Sequence, residues 1–400
     1  MSSLNQVRPH QVTVEQLESV LPSLGVSEEL PERRALLATV AALPEEPCGQ
    51  DAPRQLVRLL AEAGLLAECV PAAYGGARPA VSLRALCLLR AALAYRSPLW
   101  DLMFVMQGLG SYAVTLAGSE AQRQAYLPQV VQGQAVCALG LTEPEAGSDL
   151  AGVRTQARLV GGQYVINGEK VFISSAGVAT HYVLYARTGE HPKKGLTAFL
   201  LPADAVGLSV EPMALLCDDH PIGRLRLQDV TLPESARIGE EGQGMTLALG
   251  TLEVFRTSVG AAAVGMARRA LQEALTHVTR RQQFGQPLAS FQATQLALAE
   301  MATDCEAAAL LVQRAAAVHD LGGAAASGPL GSMAKLFATE AAQRVVDRSL
   351  QLHGGCGLIT GSPIERLYRD VRALRIYEGT SEIQKLIIAR SLITQAKALS

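Results

Sequence analysis

The sequence predicts a mainly helical α+β protein in three consecutive parts, helical, then β, then helical. Apolar residues recur at helical spacing before about residue 136 and again after about residue 242. Between these stretches the runs are short, alternating or β-branched, with glycine pairs and Asn-Gly between them. Composition agrees. Ala and Leu dominate and aromatics are only 4%, and Ala and Leu lose little on entering a helix. The expected division is 1–136, 137–242 and 243–400.

With 49% hydrophobic and 18% charged residues, the 400-residue chain can build large cores and is not expected to be disordered. A net charge of -2 gives no electrostatic footprint for nucleic acid. The seven cysteines (Cys48, Cys69, Cys87, Cys137, Cys217, Cys305, Cys356) form no CxxC pair, and their number is odd. With no secretory leader in view, they read as reduced thiols of a cytoplasmic protein. No uninterrupted run of about 18 apolar residues occurs, so nothing is expected to span a membrane. The seven histidines show no metal-ligand spacing, and no metal is expected.

Residues 1 to about 25 are polar and carry Pro9 and Pro22, as suits a loose extension or one short helix. Helices are then expected from Arg54 to Ala63, stopped by Gly64, from Val81 to Tyr95, and from Leu102 to Ala117. A further helix opens at Ser119, a plausible cap. Strands are expected at Val153–Leu159, Tyr164–Gly168, Lys170–Ser174, Tyr182–Arg187, Leu196–Pro202, Leu208–Pro212 and Gly223–Val230. Long amphipathic helices follow at Met245–Arg281, Phe291–Leu321, Leu330–His353, Pro363–Val371 and Thr380–Lys397. Gly322-Gly323 and Gly354-Gly355 punctuate them, and the set should pack as an antiparallel bundle.

Five stretches offer chemistry. Leu141-Thr142-Glu143-Pro144-Glu145-Ala146-Gly147-Ser148-Asp149 combines small and hydroxyl residues, which suits a flat polar heterocycle or a phosphate. It also reads as a capped turn. Lys170-Val171-Phe172-Ile173-Ser174-Ser175 could line one face of a planar ring, or be an ordinary strand. Arg280 to Leu288, with Phe291-Gln292 after it, breaks a helical pattern and offers guanidinium groups that could pair with a pyrophosphate. Gln351 to Gly357 leaves backbone N–H groups open to a ligand, or caps a helix. In Tyr377-Glu378-Gly379-Thr380, a carboxylate sits on a glycine-containing turn, Thr380 can cap the next helix, and Glu382 puts an acid in its first turn.

Taken together and in this order, these stretches resemble the acyl-CoA dehydrogenase family of flavoproteins. The resemblance runs from Gly64-Leu65-Leu66 through Pro71-Ala72-Ala73-Tyr74-Gly75-Gly76 to about Leu392. It implies a central β-barrel-like domain, a C-terminal four-helix bundle, and FAD between them. It also implies a homotetramer, a dimer of dimers in which a neighbouring subunit completes each flavin site. On that resemblance Leu139, Leu141, Thr142 and Ser148 lie beside the isoalloxazine, and Phe172 and Ser174 cover its other side. Arg281, Phe284, Gln351 and Gly355 reach the partner's FAD, and Thr380 and Glu382 contact FAD in their own subunit. Glu378 matches the catalytic base. The electron acceptor implied is electron-transfer flavoprotein or another carrier.

The departures from the family pattern are few. Phe172 and Ser174 stand where many members have Trp and Thr. The alternative base position of some members matches Phe255, which cannot take a proton, and Glu253 is offset from it. Cys217 to Gly223 replaces a Ser/Thr-rich segment that touches the acyl-CoA in many members, which opens the option of an acyl-carrier-protein thioester. The expected reaction is α,β-dehydrogenation of an acyl thioester. An oxidase using O₂ on the same fold is the alternative. A non-catalytic interaction protein is disfavoured by the intact flavin stretches.

Overall fold

The structure, a computed structural model, describes residues 12–20, 32–217 and 219–399. The N-terminal part is helical: α1 (Val14–Val20), α2 (Arg33–Ala42), α3 (Ala52–Glu62), α4 (Leu83–Arg96), α5 (Pro98–Leu109), α6 (Tyr112–Ala117) and α7 (Glu120–Val131). Of the expected N-terminal extension, α1 is described, and the rest up to residue 25 lies outside the described residues apart from Val12 and Thr13. Left-handed Gly64 ends the α3 segment, as expected (φ 75°). Ser119 caps α7 in a reciprocal box with Gln122.

The single helix expected over Leu102–Ala117 is two, α5 and α6, broken at Gly110 and Ser111. The break lies against the first strand. A Cβ on Gly110 would come 2.6 Å from the Ala138 amide nitrogen. The Ser111 hydroxyl turns back to the Gln107 carbonyl at 2.6 Å.

Eight strands make one sheet: β1 (Cys137–Gly140), β2 (Gln156–Val160), β3 (Gln163–Ser174), β4 (His181–Arg187), β5 (Leu196–Pro202), β6 (Leu208–Pro212), β7 (Ile222–Pro233) and β8 (Arg237–Ile238). The order is β6-β7-β3-β2-β4-β5-β8, and β1 pairs parallel with β4. The sequence reading splits β3 in two at Asn167-Gly168. The strand instead runs through, with a register shift between Ile166 and Gly168. Asn167 and Asp229 exchange two hydrogen bonds of 2.9 Å across the bulge. A side chain on Gly168 would meet Thr155.

The C-terminal part is a bundle of four long helices, α8 (Gly244–Arg280), α9 (Gln292–Ser327), α10 (Leu330–His353) and α12 (Ser381–Leu399), with the shorter α11 (Pro363–Val371) beside it. The α9 segment runs past the expected end at Leu321 and kinks at non-helical Gly323. By length and composition α8 could cross a bilayer, but most of its apolar stretch is buried inside the protein. It packs on α4 from one side and α10 from the other, which makes it the central core helix. A short hairpin, β9 (Gln282–Gln283) and β10 (Gln286–Pro287), turns at Phe284 and Gly285, both left-handed. No disulfide joins the described cysteines.

Candidate active site

A cavity of about 530 Å³ lies where the three parts meet. Six of the sequence-derived candidates line it: Leu139, Leu141, Thr142, Phe172, Ser174 and Glu378. Leu139 comes from β1, and Leu141 and Thr142 from the loop after it. Phe172 and Ser174 come from the last turns of β3, where Phe172 is left-handed (φ 56°) and 56% exposed. A left-handed backbone is costly for an aromatic residue, and the exposed ring is left open to the cavity.

The loop after β1 is fastened from behind. Lys170 is fully buried, and its ammonium donates to Glu143 Oε1 at 2.7 Å and to the Leu141 carbonyl at 3.1 Å. Glu143 also accepts from the amides of Arg154 and Thr155, at 2.6 and 3.0 Å. Burial pushes the Lys170 ammonium down to about 8. Burial also raises the Glu143 carboxyl, but Lys170 and the amides outweigh it and hold the group below its usual range. The Val171 amide donates to the Thr142 carbonyl at 2.9 Å, which ties the strand to the loop. Ser148 is exposed one residue beyond Gly147, which lines the cavity, and Asp149 caps a short turn after it.

Glu378, which also lines the cavity, sits on a turn with φ 53°, followed by Gly379 with φ 91°. Its Oε2 is buried and has no hydrogen-bond partner among the described residues. Burial raises its pKa above the usual carboxylate value, and Arg90, Lys335 and Arg256 oppose that rise. The carbonyls of the turn are held. Lys335 and Gln384 donate to the Gly379 oxygen at 2.7 and 2.8 Å, and Arg256 reaches the Glu378 oxygen at 3.5 Å. Thr380 caps α12 through the Ile383 amide, at 3.4 Å, and Glu382 lies exposed in its first turn.

Glu253 does not line the cavity. Phe255 is buried and meets Tyr112 edge-on, with ring centroids 5.7 Å apart. Arg281, Phe284, Gln351 and Gly355 all lie outside the cavity on the surface, with Phe284 92% exposed. His277 and His353 stack at 4.4 Å and bring the ends of α8 and α10 together, so these four residues share one end of the bundle.

Arg90, Asp101, Arg256 and Lys335 escaped the sequence reading. Arg90 and Asp101 both line the cavity and form a buried ion pair. In the stretch Cys217 to Gly223, which the sequence did single out, His220 Nε2 lies 2.8 Å from the Ser174 hydroxyl, and burial pushes its imidazole down to about 4, so it is neutral near pH 7. From the same stretch Asp219 pairs with Arg366 at 2.7 Å, and both line the cavity. The available signal was a lone cation in an apolar helical run, as at Arg90 and Lys335. No cluster suited to a metal occurs among the described residues.

Models of the acyl-CoA dehydrogenase N-terminal, middle and C-terminal domains match residues 33–134, 138–230 and 242–393. The chain is 35% identical over 344 residues to a cyclohexane-1-carbonyl-CoA dehydrogenase of Geobacter metallireducens, covering 86% of this chain and 90% of that protein. It is 37% identical over 347 residues to a 3-(aryl)acrylate reductase of Clostridium sporogenes, covering 85% and 90%. Its fold superposes on an acyl-CoA dehydrogenase from Bacillus anthracis solved with FAD, with a TM-score of 0.82 and 31% identity over 96% of this chain and 67% of that one. On sequence and fold alike, the chain belongs to the acyl-CoA dehydrogenase family.

Proposed function

We propose that this protein is an FAD-dependent oxidoreductase that removes two hydrogens across the α,β-bond of an acyl-CoA, with Glu378 as the base. The observation that carries this reading is the unpartnered, buried Glu378 carboxylate oxygen in a cavity that is also walled by Leu139, Leu141, Thr142, Phe172 and Ser174. That wall suits FAD. It offers leucine side chains and an exposed aromatic ring for a flat heterocycle, and two hydroxyls for its polar edge.

When bound, FAD supplies the two-electron acceptor for the hydrogen leaving the β-carbon. Glu378 takes the proton from the carbon beside the thioester carbonyl. Its raised pKa makes the carboxylate a stronger base than a solvated one, and its free oxygen has no bond to break first. The left-handed turn directs the Glu378 amide differently from a helical one, and in this reading that N–H donates to the thioester oxygen as negative charge develops. The apolar side chains of Leu99, Leu102, Val105 and Met106 line the space for the acyl group and exclude water.

The loop with Asp219 and His220 keeps the carrier question open to test, since its side chains, rather than a Ser/Thr run, meet the entering thioester. In this reading CoA is the carrier and a second subunit supplies Arg281, Phe284, Gln351 and Gly355 to each flavin. The exposed Phe284 ring motivates that assignment. Anaerobic titration of the flavin-loaded protein with butyryl-, octanoyl-, cyclohexane-1-carbonyl- and 3-phenylpropionyl-CoA tests the reaction. Bleaching of the flavin band by at least one of them is expected. No bleaching by any, with bleaching by a matched carrier-protein thioester, would move the substrate to the carrier protein.

A further inference from the structure

The Glu378 turn is surrounded by charge from four helices. Arg90 faces it from α4, Asp101 from α5, Arg256 from α8 and Lys335 from α10, with Tyr377 beside it on the same turn. These groups do not play the same part. Arg90 is committed to Asp101, through two bonds of 2.8 Å, and to the Ser258 hydroxyl at 2.9 Å. Arg256 faces Glu253 as well as Glu378. Lys335 is completely buried, and its ammonium donates to the Gly379 carbonyl at 2.7 Å.

A buried ammonium is a costly way to satisfy one carbonyl, and Gln384 already donates to the same oxygen. The carboxylate it faces accounts for the charge. Glu378 is the strongest attraction acting on Lys335, ahead of Glu340 and Glu382. From these contacts we infer that Lys335 is a positioning residue for Glu378: one ammonium both pins the Gly379 carbonyl and favours the carboxylate form of the base. This rests on Glu378 being the base. The two functions are separable. The hydrogen bond fixes where the turn sits, and the charge favours the ionised carboxylate across the cavity wall. Burial holds the Lys335 ammonium down at about 8, so the positive charge is itself partly lost in mildly alkaline solution.

The test uses the FAD-loaded protein and whichever of the four acyl-CoAs named above reduces wild type fastest. The rate of flavin reduction is followed against pH. Lys335→Met should keep its flavin band. Its acid limb should move up by about one pH unit, because Glu378 loses a facing cation and protonates more readily. Lys335→Arg should restore the limb. Should Lys335→Met not fold, Lys335→Gln keeps a donor for Gly379, drops the charge, and carries the same expectation. A second readout needs no substrate. In thermal unfolding, Lys335→Gln should cost less in the Glu378→Gln background than in wild type. An acid limb at the wild-type position in Lys335→Met or Lys335→Gln, or equal penalties in the two backgrounds, overturns the assignment. Failure of all four thioesters to reduce wild type, or an unchanged rate in Glu378→Gln, would instead defeat the reading of Glu378 as base.

Discussion

Arg90 and Asp101 meet in a two-pronged ion pair, Nε to Oδ1 and Nη2 to Oδ2, each at 2.8 Å, and both residues are almost wholly buried. The third contact, to Ser258, ties α4 to the central helix α8. Such a pair is weak evidence of stability, because desolvation offsets most of the attraction, but breaking it strands a buried charge. Arg90→Met alone is therefore expected to destabilise by about 3–5 kcal/mol. The double change Arg90→Met with Asp101→Leu should cost clearly less than the two single changes summed. Urea unfolding of the three variants measures this, and strict additivity would contradict the coupling.

Asp320 caps a helix to which it does not belong. From α9 its carboxylate accepts from the Ser82 hydroxyl at 2.6 Å and from the amides of Leu83 and Arg84 at 2.8 and 3.1 Å, at the start of α4. Asp320→Ala should cost about 1–2 kcal/mol, the range of a lost cap. Burial alone would raise its pKa. His319, 3.5 Å away, together with the hydrogen bonds from Ser82 and the two amides, outweighs burial and lowers it. A folded-state pKa below the unfolded one stabilises above the unfolded value and is lost as pH falls through the folded one. The deficit of Asp320→Ala should thus be full at pH 7 and shrink below about pH 4. A deficit unchanged by acid would contradict the charged cap.

The architecture was legible because period is written locally. Leu330–His353 and Pro363–Val371 match their expected bounds, since capping residues and glycines mark their ends. The misses have a common physical origin in contacts distant along the chain. The break at Gly110 depends on strand β1 packing against it, and the continuity of β3 depends on Asp229, 62 residues from Asn167. The site divided the same way. Glu378, Phe172 and Ser174 stand in recognisable local stretches. Lys335, Arg256 and Arg90 reach Glu378 from three separate helices, and no spacing announces that convergence.

Phe284 projects from the β9–β10 turn with 92% of its surface exposed and meets Phe291 edge-on, with ring centroids 6.2 Å apart. A ring that packs on so little within its own subunit contributes little to that subunit's stability. Phe284→Ala should leave the melting temperature of the apoprotein nearly unchanged, as for most surface substitutions. If the ring contacts the partner's flavin, FAD affinity should fall about tenfold, as for truncation of a buried aromatic at an interface. Flavin titration and sedimentation together check this. Unchanged affinity in an intact oligomer would remove Phe284 from the flavin site.

Glu378→Gln separates chemistry from structure. The side chain keeps its size, and Oε2 makes no hydrogen bond to lose. FAD binding and fold should persist, while flavin reduction by an acyl-CoA should slow by about 10²–10⁴-fold, as for loss of a general base. The loss should fall on the reductive step rather than on substrate affinity. Glu253→Gln, at a side chain outside the cavity, should change the rate little. Stability gives an independent check. Burial raises the pKa of Glu378 in the folded state, so the native protein binds its proton more tightly than the unfolded chain. The stability this residue contributes is therefore full below the unfolded pKa and declines as pH rises through the folded one. Glu378→Gln removes that decline. Relative to wild type, the variant should gain stability as pH rises from about 4, the ordinary carboxylate value, through the raised folded-state value. A melting-temperature difference that stays flat across this range would show that Glu378 titrates as an ordinary solvated carboxylate, and its role as a buried base would then fall.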